Sequence, residues 1–206
     1  MSNAHRDTHA STSAAAKPSR GAVLAAVGAV GLVSVAALAT AAPAQAQATG
    51  PAKSTGSQGV HLFQGPLRDL QPATSDPLDG AQARLLFVSH RGSSTFVLVV
   101  SGVGRDGVGH TYGAHLHTGA CVAGNGAAAG PHYNQSTVNG VVPPVVNDQT
   151  EVWLDVTVGP GGNAVAVARV PFVPSPGDRA VVLHAEHTDD HGTAGARLAC
   201  LPVRWS

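Results

Sequence analysis

After residue 48, the apolar residues of this chain fall into strand-length runs and never into a sustained helical period, which limits the fold more than any other feature of the sequence. Residues 151–158 (EVWLDVTV) put Val152, Leu154, Val156 and Val158 on one side and Glu151, Trp153, Asp155 and Thr157 on the other. That period of two marks a half-buried strand. The turn-like GPGGN at 159–163 leads into AVAVARV at 164–170, and together they predict a hairpin. RLLFVS at 84–89 and TFVLVVS at 95–101 flank a second turn-like stretch, and 179–185 and 197–203 are two further strand candidates. Gly (25) and Pro (14) are abundant without a collagen-like period, so connections are many and short. With aromatics at 4%, the core has to come from Val, Leu and Ala. Six or more such strands indicate an all-β domain, either an immunoglobulin-like β-sandwich or a Greek-key β-barrel.

The N-terminal quarter has a different texture. Lys17 and Arg20 precede an uncharged apolar run at 21–42, and Ala42, Ala44, Ala46 and Ala48 frame three small-x-small cleavage patterns. Residues 1–48 therefore read as a secretory signal peptide in a disordered N-terminal segment. The run is long enough to span a bilayer, so an uncleaved signal anchor is the alternative, and it offers the one expected route to a membrane. Residues 49–80, rich in Gly, Pro, Ser and Thr, read as a flexible linker or arm, which leaves 81–206 as the functional domain. Twelve basic residues balance twelve acidic ones, so no charge excess points to nucleic acid. Two cysteines allow one bridge or two free thiols, and export favours the bridge.

Eleven histidines carry the chemistry. In GAHLHTGAC at 113–121, His115 and His117 are two apart, so on an extended strand both rings leave one face. His132 follows on the Gly-rich AGPHYN, and His184 ends the apolar strand RAVVLH. Four neutral imidazoles without a thiolate suit Cu(II), which stands highest in the divalent affinity order; zinc would bind the same set but has no redox chemistry. A lone His-x-His is more often incidental than a metal pair, and the weight here comes from the segments around it.

Those segments resemble the copper/zinc superoxide dismutase family over about residues 84–204. GAHLHTGAC is similar to its first copper-ligand strand, AGPHYN to the segment with the histidine that bridges copper and zinc, VVLHAEHTDDHG to the last ligand strand, and GTAGARLAC to the C-terminal segment. The resemblance implies an eight-stranded Greek-key barrel with His115, His117, His132 and His184 as copper ligands. It also implies Arg197 as guide for the superoxide anion, a Cys121–Cys200 disulfide, and a proton-carrying role for His132.

Departures from the family pattern are equally specific. Residues 133–150 contain no histidine, so the standard zinc ligands are missing and zinc is not expected, as in the copper-only branch. Glu151 or Asp148 is then the candidate to hold the far nitrogen of His132. Asp189 or Asp190 is the candidate for the aspartate that fixes a copper-ligand imidazole. An alternative metal cage from His187, Asp189, Asp190 and His191 is conceivable. Tyr112 stands where the family usually has a histidine, so the backbone-bracing hydrogen bond of that histidine is not expected from this position. The expected function is an exported superoxide dismutase acting on superoxide by copper redox cycling; the alternative is a non-enzymatic copper-binding protein of the same fold.

Overall fold

The computed structural model describes residues 58–206. The expected leader at 1–48 and residues 49–57 of the expected arm lie outside the described residues. In chain order the strands are β1 (Gly59–Pro66), β2 (Arg68–Asp69), β3 (Gln82–His90), β4 (Ser93–Ser101), β5 (Thr111–Tyr112), β6 (Ala114–His117), β7 (Val156–Thr157), β8 (Ala164–Val170), β9 (Gly177–His184) and β10 (Arg197–Trp205). Eight of them make two four-stranded antiparallel sheets. The first has the order β1-β3-β4-β8 and the second β2-β10-β9-β6, while β5 and β7 pair with each other. Partners distant in sequence, such as β4 with β8 and β6 with β9, give the long crossings of a Greek-key sandwich. The two sheets do not join into a closed barrel.

Alternation along the strands decides what is buried. Leu85 and Phe87 of β3, Phe96, Leu98 and Val100 of β4, Val181 and Leu183 of β9, and Leu201 and Val203 of β10 meet in one core. Phe87 and Phe96 stack with ring centroids 4.6 Å apart. A Phe so buried contributes about 1.5–3 kcal/mol by the area it removes from water. On β9 every residue from Ala180 to His184 is buried, because this sheet is covered on both sides. Its outer side carries a smaller cluster of Leu70, Cys121, Ala129, Ala180, Val182 and Cys200.

Two expectations need correction. Residues 59–80 are not an arm: β1 pairs with β3 along its full length, from Gly59↔Ser89 to Pro66↔Gln82, and β2 pairs with β10. His61 and Phe63 turn inward against Phe87 and Trp205, and Leu67, Leu70 and Leu78 are buried. Backbone pairing at a sheet edge supplies what the sparse apolar content of this segment does not announce. Nor do 151–158 and 164–170 form a hairpin. The turn is there, closed by Gly159 N–H to the Asn163 carbonyl at 2.9 Å, but the arms diverge. β8 joins β4, whereas residues 151–157 run beside β5 and β6, with Tyr112↔Val156 and His115↔Trp153 as partners. The alternation itself holds, since Val152, Leu154, Val156 and Val158 are all buried.

Candidate metal centre

β6 sends Ala114 and Leu116 into the main core, so His115 and His117 leave from the outer side of the second sheet. His184 ends β9 on that same outer side, and its N–H is held by the Gly113 carbonyl at 2.7 Å. His132 comes from a loop that lies along the free edge of β6. There Thr118 N–H bonds the Pro131 carbonyl at 3.0 Å and Tyr133 N–H bonds the Leu116 carbonyl at 2.7 Å. One ring nitrogen from each of the four histidines lies within 4.8 Å of the other three. Three distant stretches of chain thus converge on one point.

The hydrogen bonds fix which nitrogen each ring offers. His117 donates through Nδ1 to the Gly130 carbonyl at 3.0 Å, and His184 donates through Nδ1 to the Gly195 carbonyl at 3.2 Å. Both glycines have positive φ, +68° and +75°, a backbone state that turns these carbonyls toward the rings at little cost only without a Cβ. His132 donates through Nδ1 to Glu151 Oε2 at 3.0 Å. That carboxylate also accepts from Trp153 Nε1 and Asn134 Nδ2, each at 3.0 Å. His117, His132 and His184 therefore keep their Nε2 lone pairs for the centre. His117 Nε2 and His184 Nε2 stand 3.2 Å apart with their own protons committed elsewhere. Such facing lone pairs repel unless a cation or a proton lies between them. His115 Nδ1 is buried with no protein partner at all. Four inward lone pairs, one of them an orphaned buried nitrogen, fit a metal ion.

Electrostatics points the same way. Burial lowers the His115 imidazole from 6.5 to about 2, with repulsion from the other three rings adding to it. Burial likewise lowers His117 to about 3 and His184 to about 4, against the partly opposing carbonyl bonds from Gly130 and Gly195. All three are neutral at pH 7, the form that ligates. For Glu151, burial works to raise the carboxyl, but the bonds from His132, Trp153 and Asn134 outweigh it and hold it below its ordinary value.

Arg197 reaches this side of the sheet through an irregularity. β10 pairs Ala199 with Leu183 and Arg197 with His184, so the register shifts between the two. A regular strand would turn Arg197 to the same side as Ala199; the bulge aims it with His184 instead. Its Nη1 donates to the Gly126 carbonyl at 2.6 Å, and its charge helps keep His117 and His184 unprotonated. Cys121 and Cys200 form a disulfide, tying the loop after His117 to β10.

Several expected site residues fall elsewhere. Asp189 and Asp190 do not fix a ligand ring: Asp189 accepts from the N–H groups of His191 and Thr193, shaping its own exposed loop, and Asp190 is exposed. The side chain that hydrogen-bonds His115 is Thr188, whose Oγ1 lies 2.9 Å from Nε2, and Thr188 in turn bonds Asp155. His187 is 69% exposed and 3.6 Å from Asp155, and His187, Asp189, Asp190 and His191 are not among the ligand-competent groups of the described residues. Asp148 is exposed, and Glu151 alone holds His132. Tyr112 is buried in the core; His110 beside it donates to the Ala185 carbonyl at 2.7 Å, a backbone brace next to His184.

No protein-family model matches the chain, and no curated protein matches it. Forty-two solved chains do match. One is the crystal structure of the clock protein EA4, with a TM-score of 0.48 and 17% identity over 76% of this chain and 100% of that one. A likeness of that size carries no statement about function.

Proposed function

We propose that the protein is an exported superoxide dismutase that works with one copper ion held by His115, His117, His132 and His184, and that it belongs to the copper-only branch of the family its motifs resemble. The observation that carries the reading is the convergence of four imidazole lone pairs with no thiolate among them. Nitrogen sets of this kind favour Cu(II) over the other common divalent ions. When bound, copper supplies the one-electron oxidation of one superoxide to dioxygen and the one-electron reduction of a second, which leaves as hydrogen peroxide after taking two protons.

The chain supplies attraction, orientation and protons. Arg197 is held at Nη1 by the Gly126 carbonyl and directs its remaining N–H groups to the arriving anion. Of the four rings, His132 is the most open, with 18% of its side chain exposed, so protons from solvent enter there. His132 has a single Nε2 lone pair, so that nitrogen would carry a proton only while it is not holding the ion, with Glu151 at Nδ1 stabilising the imidazolium until the proton passes to the reduced oxygen species. The same bond keeps the far nitrogen of His132 from a second ion, which supports a site without zinc. The disulfide and the leader-like residues 1–48 support export. Among the described residues no helix is long and apolar enough to cross a membrane. The balanced charge gives no reason to expect nucleic acid.

The test is metal analysis followed by turnover. Full-length protein offered copper and zinc together should retain a single copper and little zinc, and stoichiometric zinc would overturn the copper-only reading. The copper-loaded protein should consume superoxide, and His115→Ala should lose both copper and turnover. Copper retention without superoxide turnover would favour a copper-holding protein of the same fold.

A further inference from the structure

Imidazole can present either ring nitrogen, and on β6 the two histidines present different ones. His117 faces the centre with Nε2, its Nδ1 being taken by Gly130. His115 faces it with Nδ1, and the reason lies two residues deep. Thr188 Oγ1 is 2.6 Å from Asp155 Oδ1 and 2.9 Å from His115 Nε2. A hydroxyl has one proton to give. The carboxylate can only accept, so the Thr188 proton goes to Asp155 and the hydroxyl oxygen must accept from His115. Asp155 is itself fixed from both sides, by Thr188 N–H at 2.8 Å and by Ala114 N–H at 3.3 Å. Thr188 is 5% exposed, so water has little access to replace its hydroxyl.

We infer that Thr188, with Asp155 behind it, is a positioning residue that locks His115 in the Nε2–H form and thereby aims its Nδ1 lone pair at the other three imidazoles. The orphaned Nδ1 is the counterpart of that bond on the other side of the ring. Without the relay, His115 could place its proton on Nδ1, and the centre would have three lone pairs and one N–H. Partners that orient a ligating imidazole are worth 10- to 100-fold in metal affinity. Asp189 and Asp190, the carboxylates nearest Thr188 in sequence, take no part, because the backbone of 189–193 turns them to solvent.

The consequence for metal binding rests on the reading that these four rings hold one ion, while the tautomer does not. The experiment is therefore done twice, on metal-free protein and with Cu(II). In metal-free, ¹⁵N-labelled full-length protein at pH 7, the ring-nitrogen shifts of His115 should show a protonated Nε2 and a bare Nδ1. Thr188→Val, close in shape, should mix or invert the two forms, and Thr188→Ser should restore the original. Competition titration with Cu(II) should give an affinity lower by about 10- to 100-fold in Thr188→Val and near the starting value in Thr188→Ser. A wild-type His115 protonated at Nδ1, or a Thr188→Val protein with unchanged tautomer and affinity, would overturn the inference. If the wild-type tautomer is as stated but copper does not bind, the proposed function fails and the positioning role of Thr188 stands. If Thr188→Val does not fold, the wild-type spectrum and the Thr188→Ser titration still decide.

Discussion

On the outer side of the first sheet Val60, Leu62, Val165 and Val167 stand 70%, 56%, 62% and 49% exposed, whereas on the outer side of the second His115, His117 and His184 are at 0%, 0% and 4%. Apolar side chains face water on one sheet and polar rings are hidden on the other, the reverse of what patterning alone would arrange. The first sheet needs only its inner face, where Phe87, Phe96 and their neighbours bury area. The second has its outer face roofed by the 118–131 loop, and each buried ring is matched to a fixed partner. Imidazoles in an apolar setting are tolerable because a glycine carbonyl, a carboxylate or a hydroxyl meets one nitrogen of each. The difference places the buried imidazoles, and the partners they require, on the outer side of one sheet and leaves the outer side of the other to apolar side chains in water.

The largest expected effect tests how much of that roof the disulfide holds. Cys121 and Cys200 are 79 residues apart, and closing such a loop stabilises the fold by about 4.5 kcal/mol on the chain-entropy model. Cys121→Ser with Cys200→Ser should lower the urea-unfolding free energy by that order and weaken copper retention, because the carbonyl of Gly130 sits in the same loop. Phe87→Ala in the first sheet should cost about 3–5 kcal/mol and leave the copper affinity of the folded protein unchanged. Equal effects of the two changes on copper would erase the contrast between the sheets.

Acid comes next. In the unfolded chain the three imidazoles take protons near 6.5, but in the fold only at about 4, 3 and 2 for His184, His117 and His115. Between those limits the unfolded state binds more protons, so stability is full above pH 6.5 and falls as pH drops toward 4. Each unit of difference is about 1.4 kcal/mol per group, and a loss of at least about 3 kcal/mol between pH 7 and pH 4 is expected in metal-free protein by denaturant titration. Glu151, held below its ordinary value, adds to the loss once pH falls through the carboxylate range. Copper loading should move the acid midpoint down, since ion and proton compete for the same lone pairs. A flat profile between pH 7 and pH 4.5 would mean that these rings are not buried as bases.

The first sheet was largely legible because 84–89 and 95–101 are strand-length apolar runs on either side of a turn-like stretch, and 164–170 follows the turn-like GPGGN. β1 escaped because Val60, Leu62 and Phe63 are a short apolar cluster in a stretch rich in Gly, Pro, Ser and Thr, and its place comes from backbone pairing with β3. The four ligand candidates were legible from His-x-His and the segments around His132 and His184, and Glu151 from the missing histidines after His132. Thr188 was not, since a search for a carboxylate near His184 passes over a hydroxyl that borrows its carboxylate from Asp155, 33 residues upstream. Nor was the register shift that turns Arg197 toward His184, because a bulge leaves no mark in RLAC. Both omissions are cases in which backbone geometry, not residue type, assigns the role.

Smaller still is the effect of Arg197. Its guanidinium is partly exposed and anchored by one carbonyl, so Arg197→Ala should leave fold and copper content intact. The superoxide rate should fall roughly tenfold, and the remaining rate should depend less on ionic strength, as measured by stopped-flow decay in low and high salt. An unchanged salt dependence would remove Arg197 from the path of the anion.

The smallest effect is expected on the bare face of the first sheet, and it is the sharpest test of the comparison. Val167 lies in a row with Val97, Leu86 and Leu62 across all four strands, each paired with the next in register. If that row faces water, Val167→Lys exchanges one exposed side chain for another and should change unfolding free energy by less than about 0.5 kcal/mol. A lysine on the outer edge strand would also guard the sheet against pairing with another chain. If instead the row is covered in solution, the substitution places a charge in an apolar contact and costs well over 1 kcal/mol, with a change in sedimentation. In that case both sheets would have covered outer faces, and the asymmetry that puts the buried imidazoles on the outer side of one sheet would need a second explanation.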